Sequence, residues 1–415
     1  MINIKEEQLK FMDWEFGAFF HFGIRTFYEG HRDWDMQEMS AAAFNPDKLD
    51  CEQWIRTVKS AGAKYAILVC KHHDGFANWP SKYTDYSVAN TPWKDGKGDV
   101  VREFVNACRK YDVKVGLYYS PAQFGSVKMN AKEYDNYFIN QIAELLENYG
   151  TIDYLWFDGC GSENHEYDTK RIIKEIRKRQ PNILIFNMWD PDTRWVGNES
   201  GLVSMPNNNM VDSLDFSVLA EEKDTLSESR FLPGECDCRI RLKNWFYSEN
   251  DEHTLKSIDE LLGLYYYSVG RGANLLLNIA PDRHGLLPEK DSARLIEFGE
   301  KIKSMFGKSI AGIEQTVKNG DVYTIDLKEN TLVNHVILEE KMNDGEKIES
   351  FEIYVYPYPY YGNGTILVYS GKTVGHKHIC RFPAVRTEKT EIVINKGKAE
   401  YELKNIGVYY TGKES

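Results

Sequence analysis

The chain of 415 residues reads as an α/β protein, a TIM-like (β/α) barrel distorted in its later part and followed by a C-terminal antiparallel β-sandwich. Three observations predict this. From about residue 15 to 305, short apolar runs alternate with amphipathic stretches whose apolar residues recur three and four apart, the pattern of parallel strands covered by helices. That part runs for about 300 residues, and no G-x-G-x-x-G follows its first strand, so a barrel is favoured over a doubly wound dinucleotide-binding sheet. After Gly307 the helical period vanishes and short strand-like runs separated by turns take over, the mark of a sandwich. The division falls at residues 1–307 and 308–415.

In chain order the barrel strands are expected at Gly17–Ile24, Tyr65–His72, Lys114–Pro121, Asp153–Gly159, Ile183–Met188 and Ala273–Pro281. Helices are expected where Leu49, Trp54, Ile55, Val58 and Ala61 share a face, then Val101, Phe104, Val105 and Cys108, then Phe138, Ile142, Leu145 and Leu146. Gly150 and Gly307 stand where helix C-terminal glycines belong. No strand pattern stands out between 200 and 250, which is where the distortion is expected. The sandwich strands are Val322–Leu327, Val333–Leu338, Phe351–Tyr356, Thr365–Tyr369, His378–Phe382, Glu391–Ile394 and Ile406–Tyr410. The Tyr356–Tyr361 segment, YPYPYY, reads as a strand end and an aromatic loop.

Composition narrows the function. A net charge of -12 without any Lys/Arg-rich block argues against nucleic acid and anionic membrane as partners. No apolar run reaches membrane-spanning length and Met1–Glu7 has no signal core, so a cytoplasmic location is expected. The cysteines at 51, 70, 108, 160, 236, 238 and 380 are scattered and do not form a disulfide framework; Cys236 and Cys238 lack structural zinc spacing. Aromatics at 13% suit a pocket with flat apolar walls and polar rims, as sugars need, and also suit a large core.

Polar groups gather at the C-terminal ends of the expected strands, where barrel enzymes place their chemistry. They are His21, then His72 and His73, then Tyr118, then Asp158, which closes the run Leu155–Gly161 (LWFDGCG) on the same face as Trp156. Glu199, Glu235 and Trp245 follow, with Asp33 and Glu163 as weaker candidates. Adjacent histidines on a strand diverge, so His72 and His73 do not make the H-x-H pair of barrel metallohydrolases, and neither metal nor cofactor is expected. No G-x-S-x-G elbow supports a serine triad. Two carboxylates amid Trp, Tyr and His are what glycoside hydrolysis requires.

With those residues in hand, the chain resembles the α-L-fucosidases of glycoside hydrolase family 29. The resemblance rests on His21-Phe22-Gly23, KHHDGF at Lys71–Phe76, LWFDG at Leu155–Gly159, RWVGNESG at Arg194–Gly201, Trp245-Phe246-Tyr247 and SVGRGANLLLN at Ser268–Asn278. It implies a retaining reaction on fucosylated oligosaccharides through a covalent fucosyl-Asp158, with the two carboxyl groups roughly 5–5.5 Å apart. Glu199 matches the acid/base of an α-1,3/4-selective subgroup, and Glu235 a glutamate used elsewhere in the family. His21, His72, His73, Tyr118 and Trp245 match fucose-binding positions. The tail from Ser370 to His378 resembles that subgroup's galactose-binding-like sandwich. One departure stands out: Asp33 in Arg32-Asp33-Trp34 replaces the family's glutamate, which allows a catalytically impaired fucose-binding protein; the other alternative, from the two candidate glutamates, is a broader-specificity α-L-fucosidase using Glu235 as acid/base.

Overall fold

The structure, a computed structural model, describes residues 4–28, 37–122, 129–162, 165–215, 223–357, 364–398 and 400–412. Helix α1 (Glu6–Met12) precedes the first barrel strand. Strands β1 (Phe16–Phe20), β2 (Tyr65–Lys71), β3 (Lys114–Tyr119), β4 (Tyr154–Phe157), β5 (Leu184–Phe186) and β6 (Arg194–Trp195) follow. An antiparallel ribbon, β7 (Met210–Leu214) and β8 (Asp224–Phe231), is inserted before β9 (Gly234–Arg239) and β10 (Asn274–Asn278). The eight barrel strands pair in parallel in the order β5-β4-β3-β2-β1-β10-β9-β6. A parallel bridge from Phe186 to Thr193 brings the two ends of this sheet together, so it closes almost completely.

Helices α2 (Cys51–Ser60), α3 (Val100–Lys110), α4 (Ala131–Asn148), α5 (Thr169–Arg179), α6 (Ile258–Tyr267) and α7 (Glu289–Phe306) accompany the strands. Asp50, Asp99, Asn130, Asp168 and Ser257 each cap a helix N-terminus through the side-chain oxygen. Covered on one side by helices and on the other by the barrel interior, β1 and β2 are buried at every position. One apolar cluster fills the space between sheet and helices. A second, largely aromatic cluster fills the barrel, with Phe19, Tyr65, Tyr118, Tyr154, Trp156 and Phe186 among its members. Phe11 of α1 plugs its floor, 5.3 Å from the Tyr154 ring.

The expected distortion is found at β5 to β9. No helix separates β5 from β6, and β6 is only two residues long. Strand β9 was hidden because Glu235, Asp237 and Arg239 interrupt any apolar run, while Cys236 and Cys238 face away into the surrounding core.

The C-terminal strands β11 (Ala311–Gly312), β12 (Thr316–Asn319), β13 (Val322–Glu340), β14 (Ile348–Val355), β15 (Ile366–Gly371), β16 (His378–Gly397) and β17 (Leu403–Tyr409) are antiparallel. Two pairs of expected strands are single long ones: β13 joins Val322–Leu327 to Val333–Leu338, and β16 joins His378–Phe382 to Glu391–Ile394. Register shifts between Asp326 and Thr331 bend β13, with Lys328 at φ 63°. The N-terminal half of β13 pairs with β12 and its C-terminal half with β17, and residues of both halves enclose one core. This sandwich packs on the barrel through Ile337, Ile379 and Tyr409, and Met342 meets Met12 and Phe231. Residues 358–363 of the aromatic loop lie outside the described residues. Among the described residues, no helix is long and apolar enough to cross a membrane.

Candidate active site at the C-terminal mouth of the barrel

Strand β4 alternates, so Trp156 and Asp158 face the barrel axis, one layer apart. The Asp158 carboxylate accepts a hydrogen bond from the Tyr118 hydroxyl at Oδ2 (2.9 Å) and from the Cys160 backbone N–H at Oδ1 (2.9 Å). Burial, reinforced by the Asp158 charge, holds the Tyr118 phenol far above its ordinary pKa, which fixes it as the donor. His73 Nε2 lies 3.6 Å from Asp158 Oδ2.

Three histidines line the same mouth. His21, just past β1, shares a 2.8 Å hydrogen bond between its Nδ1 and Asn278 Oδ1. Asn278 spends its amide N–H on the Trp245 carbonyl (2.8 Å), so its oxygen faces His21 and the imidazole is the donor. That assignment leaves His21 Nε2 as an acceptor. Burial lowers the His21 pKa to about 3, so the ring is neutral. His72 is also driven neutral by burial, and its Nδ1 is buried without a hydrogen-bond partner among the described residues. A neutral, unpaired ring nitrogen of this kind suits a ligand hydroxyl.

Contrary to the expected divergence, His72 and His73 stand together, with ring centroids 4.3 Å apart. The strand ends at Lys71 after a register shift between Val69 and Lys71, and a turn closed by Gly75 N–H on the His72 carbonyl follows. Alternation therefore no longer governs this pair. Among the described residues, no three His, Cys, Asp or Glu side chains converge as a metal shell.

Glu199 lies on the loop that leaves β6. The backbone of Val196 still bonds to Glu235 of β9 and that of Gly201 to Asp237, so residues 197–200 bulge out of the ladder. Gly197 (φ +86°) and Gly201 (φ +71°) make the two bends, and a Cβ on Gly201 would sit 2.7 Å from Cys238 Sγ. The half-exposed Glu199 carboxylate lies 3.5 Å from Arg239 Nη1. Its pKa is raised, chiefly by burial; the Arg239 charge opposes the rise, the Asp158 charge adds to it, and a hydrogen bond from Trp245 opposes it. Asp158 and Glu199 thus sense each other across the mouth. Trp245 completes the wall, with its ring 4.9 Å from His21 and 4.9 Å from the Arg239 guanidinium.

The structure does not bring Glu235 to the mouth. It is fully buried, and its carboxyl accepts from Tyr65 Oη (2.6 Å), Trp156 Nε1 (2.9 Å) and Tyr154 Oη (3.4 Å). Trp156 stands between Glu235 below and Tyr118 above, and it stacks on Phe186 at 4.1 Å, so it forms the floor of the site. Asp33 and Glu163 lie outside the described residues. Sequence reasoning gave no role to Arg239, Asn278, Ser120 or Asp237. The period of two along Glu235, Asp237 and Arg239 was the available signal, since it sets all three inward. A cavity of about 770 Å³ opens at the opposite end of the barrel beside Trp14, Lys114 and Asp153. Lys114 and Asp153 pair within its lining (3.2 Å), and none of the sequence-predicted site residues lines it.

Burial raises the Glu235 pKa to about 7, from about 4.5 for a free glutamate. Between those values the folded state keeps a proton that the unfolded chain releases, so stability falls as pH rises from about 4.5 to 7, by on the order of 3 kcal/mol. Glu235→Gln lacks this term. Its melting temperature relative to the parent protein is expected to rise across that window; a constant difference in thermal unfolding would refute the assignment.

Residues 2–305 match the family model described as alpha-L-fucosidase. The chain is 31% identical over 444 aligned residues to Alpha-L-fucosidase 1 of Arabidopsis thaliana, covering 96% of this chain and 86% of that one. A glycoside hydrolase 29 family member from an unknown rumen bacterium superposes with a TM-score of 0.89 at 33% identity, covering 100% of this chain and 78% of the other. A Ruminococcus gnavus GH29 fucosidase solved in complex with fucose gives 0.87 at 25% identity, covering 99% and 95%. The chain belongs to the α-L-fucosidase family, glycoside hydrolase family 29, and is an α-L-fucosidase.

Proposed function

We propose that this enzyme releases α-1,3- and α-1,4-linked L-fucose from oligosaccharides with retention of configuration, using Asp158 as nucleophile and Glu199 as acid/base. The observation that carries the reading is the Asp158 carboxylate, held at the strand end by Tyr118 and the Cys160 N–H and electrostatically linked to Glu199. An Asp158 oxygen bonds to the anomeric carbon as the C–O bond to the leaving sugar breaks, and Glu199 gives its proton to the departing oxygen. Water then attacks the same carbon, Glu199 takes a proton from it, and Asp158 leaves as a carboxylate.

Glu199 must be an acid first and a base second, and its surroundings support that change. Esterification removes the Asp158 charge that raises its pKa, while Arg239 remains to lower it. Neutral His21 and His72, with His73, Tyr118 and Trp245, would hold the ring hydroxyls and the apolar sugar face. Asp33 would bind a sugar hydroxyl, and Trp156, as the floor of the site, would contact the sugar and support Tyr118 from below. Glu235 has the raised pKa of an acid, but its three donors and lack of exposed surface favour a structural role.

The linkage preference comes from the resemblance of the Trp195–Glu199 segment, WVGNE. A panel of α-1,2, α-1,3, α-1,4 and α-1,6 fucosyl oligosaccharides, read as released fucose, tests it. Rates on the 1,3 and 1,4 substrates are expected to exceed the others by about tenfold or more. Equal or faster release from the 1,2 or 1,6 substrate would remove the subgroup assignment.

A further inference from the structure

Lys71 is fully buried at the end of β2, an uncommon place for an ammonium group. The register shift before it turns its side chain to the outer face of the sheet, with Nζ 4.5 Å from the centre of the Tyr119 ring. From there Nζ donates to the carbonyls of Ser120 (2.7 Å) and Ala122 (3.2 Å). The Ser120 hydroxyl donates to the same Ala122 carbonyl (2.9 Å) and is 2.6 Å from His73 Nδ1. Having given its proton to Ala122, it accepts from the imidazole. His73 is thereby fixed with Nδ1 protonated and Nε2 turned towards Asp158.

We propose that Lys71 is a positioning residue: it pins the turn after β3 so that Ser120 holds the orientation and tautomer of His73 beside the nucleophile. This rests on the reading of Asp158 as the reacting carboxylate. Removing the amine would leave the Ser120 carbonyl without this donor and free the turn on which the Ser120 hydroxyl stands. Charged or neutral, it has the two N–H groups the carbonyls require.

The test is a double-mutant cycle on full-length enzyme with Lys71→Met, Ser120→Ala and His73→Ala. Lys71→Met is expected to lower kcat/KM for an aryl fucoside by about 10- to 100-fold through misplacement of His73. In a His73→Ala background the same change should cost less than about twofold, because the group it positions is gone. Losses that multiply in full would overturn the proposal and leave Lys71 a structural staple. ¹⁵N NMR of the histidine side chains gives a second readout, in which the Nδ1–H signature of His73 should be present in the parent and weakened by Lys71→Met. An unchanged His73 signature overturns the proposal. Should Lys71→Met not fold, Ser120→Ala carries both readouts, and full multiplication with His73→Ala again refutes the relay. The NMR result reports on His73 alone, so failure here is distinguishable from failure of the nucleophile assignment.

Discussion

Asparagine in place of Asp158 is expected to cut turnover of an aryl α-L-fucoside on the order of 10⁴–10⁶-fold while the fold is kept. The amide preserves size and still offers an oxygen to the Cys160 N–H, but it removes the anionic oxygen that the proposed mechanism bonds to the anomeric carbon. Tyr118 loses its charged acceptor, a change of partner rather than of packing. The substitution also removes the charge that raises the Glu199 pKa, so Glu199 should titrate lower in Asp158→Asn than in the parent, as followed by infrared or NMR titration. Activity like that of the parent enzyme in this variant would end the nucleophile assignment.

For Glu199→Ala, the loss is expected to depend on the leaving group. A sugar alcohol departs only when protonated, so natural oligosaccharides should be cleaved about 10²–10⁴-fold more slowly. An electron-poor phenol leaves unaided, and then the slow step becomes attack by water without a base. Azide needs no base, and it should restore turnover by attacking the fucosyl-enzyme to give a fucosyl azide of the same anomeric configuration as the substrate. The same signature in Glu235→Ala, with none in Glu199→Ala, would reverse the two roles. Glu235→Ala is instead expected to lose stability, because the Tyr65, Tyr154 and Trp156 donors would be left buried and unpaired.

Much of this was legible in the chain, for reasons that can be named. Strands β1, β2 and β4 are apolar almost throughout, and the residue directly after each, His21, His72 or Asp158, lines the mouth. What sequence could not supply was depth. Glu199 follows β6 and Glu235 lies within β9, both among aromatic neighbours, yet one sits on a glycine-hinged bulge at the mouth and the other beneath the Trp156 floor. That difference is fixed by the parallel register of β6 and β9, where Val196 bonds to Glu235 and Gly201 to Asp237. No periodicity over a two-residue strand reveals such a register.

The two histidines misled for a related reason. Strict alternation holds only while the ladder continues, and here it shifts at Lys71, one residue before the pair. In the sandwich, the long strands β13 and β16 read as two apiece because exposed, charged residues such as Lys328, Glu329 and Arg386 break the apolar pattern at the bends. Hydrogen bonding continues through those bends, and sequence carries no direct trace of it.

Which side chain bonds to the sugar can be read directly by trapping the intermediate. A 2-deoxy-2-fluoro fucosyl fluoride would slow breakdown of the glycosyl-enzyme more than its formation, so the intermediate should accumulate and survive proteolysis. Mass spectrometry of the digest is expected to place the fluorofucosyl group on Asp158. Its attachment to Glu199, Glu235 or any other residue would contradict the account.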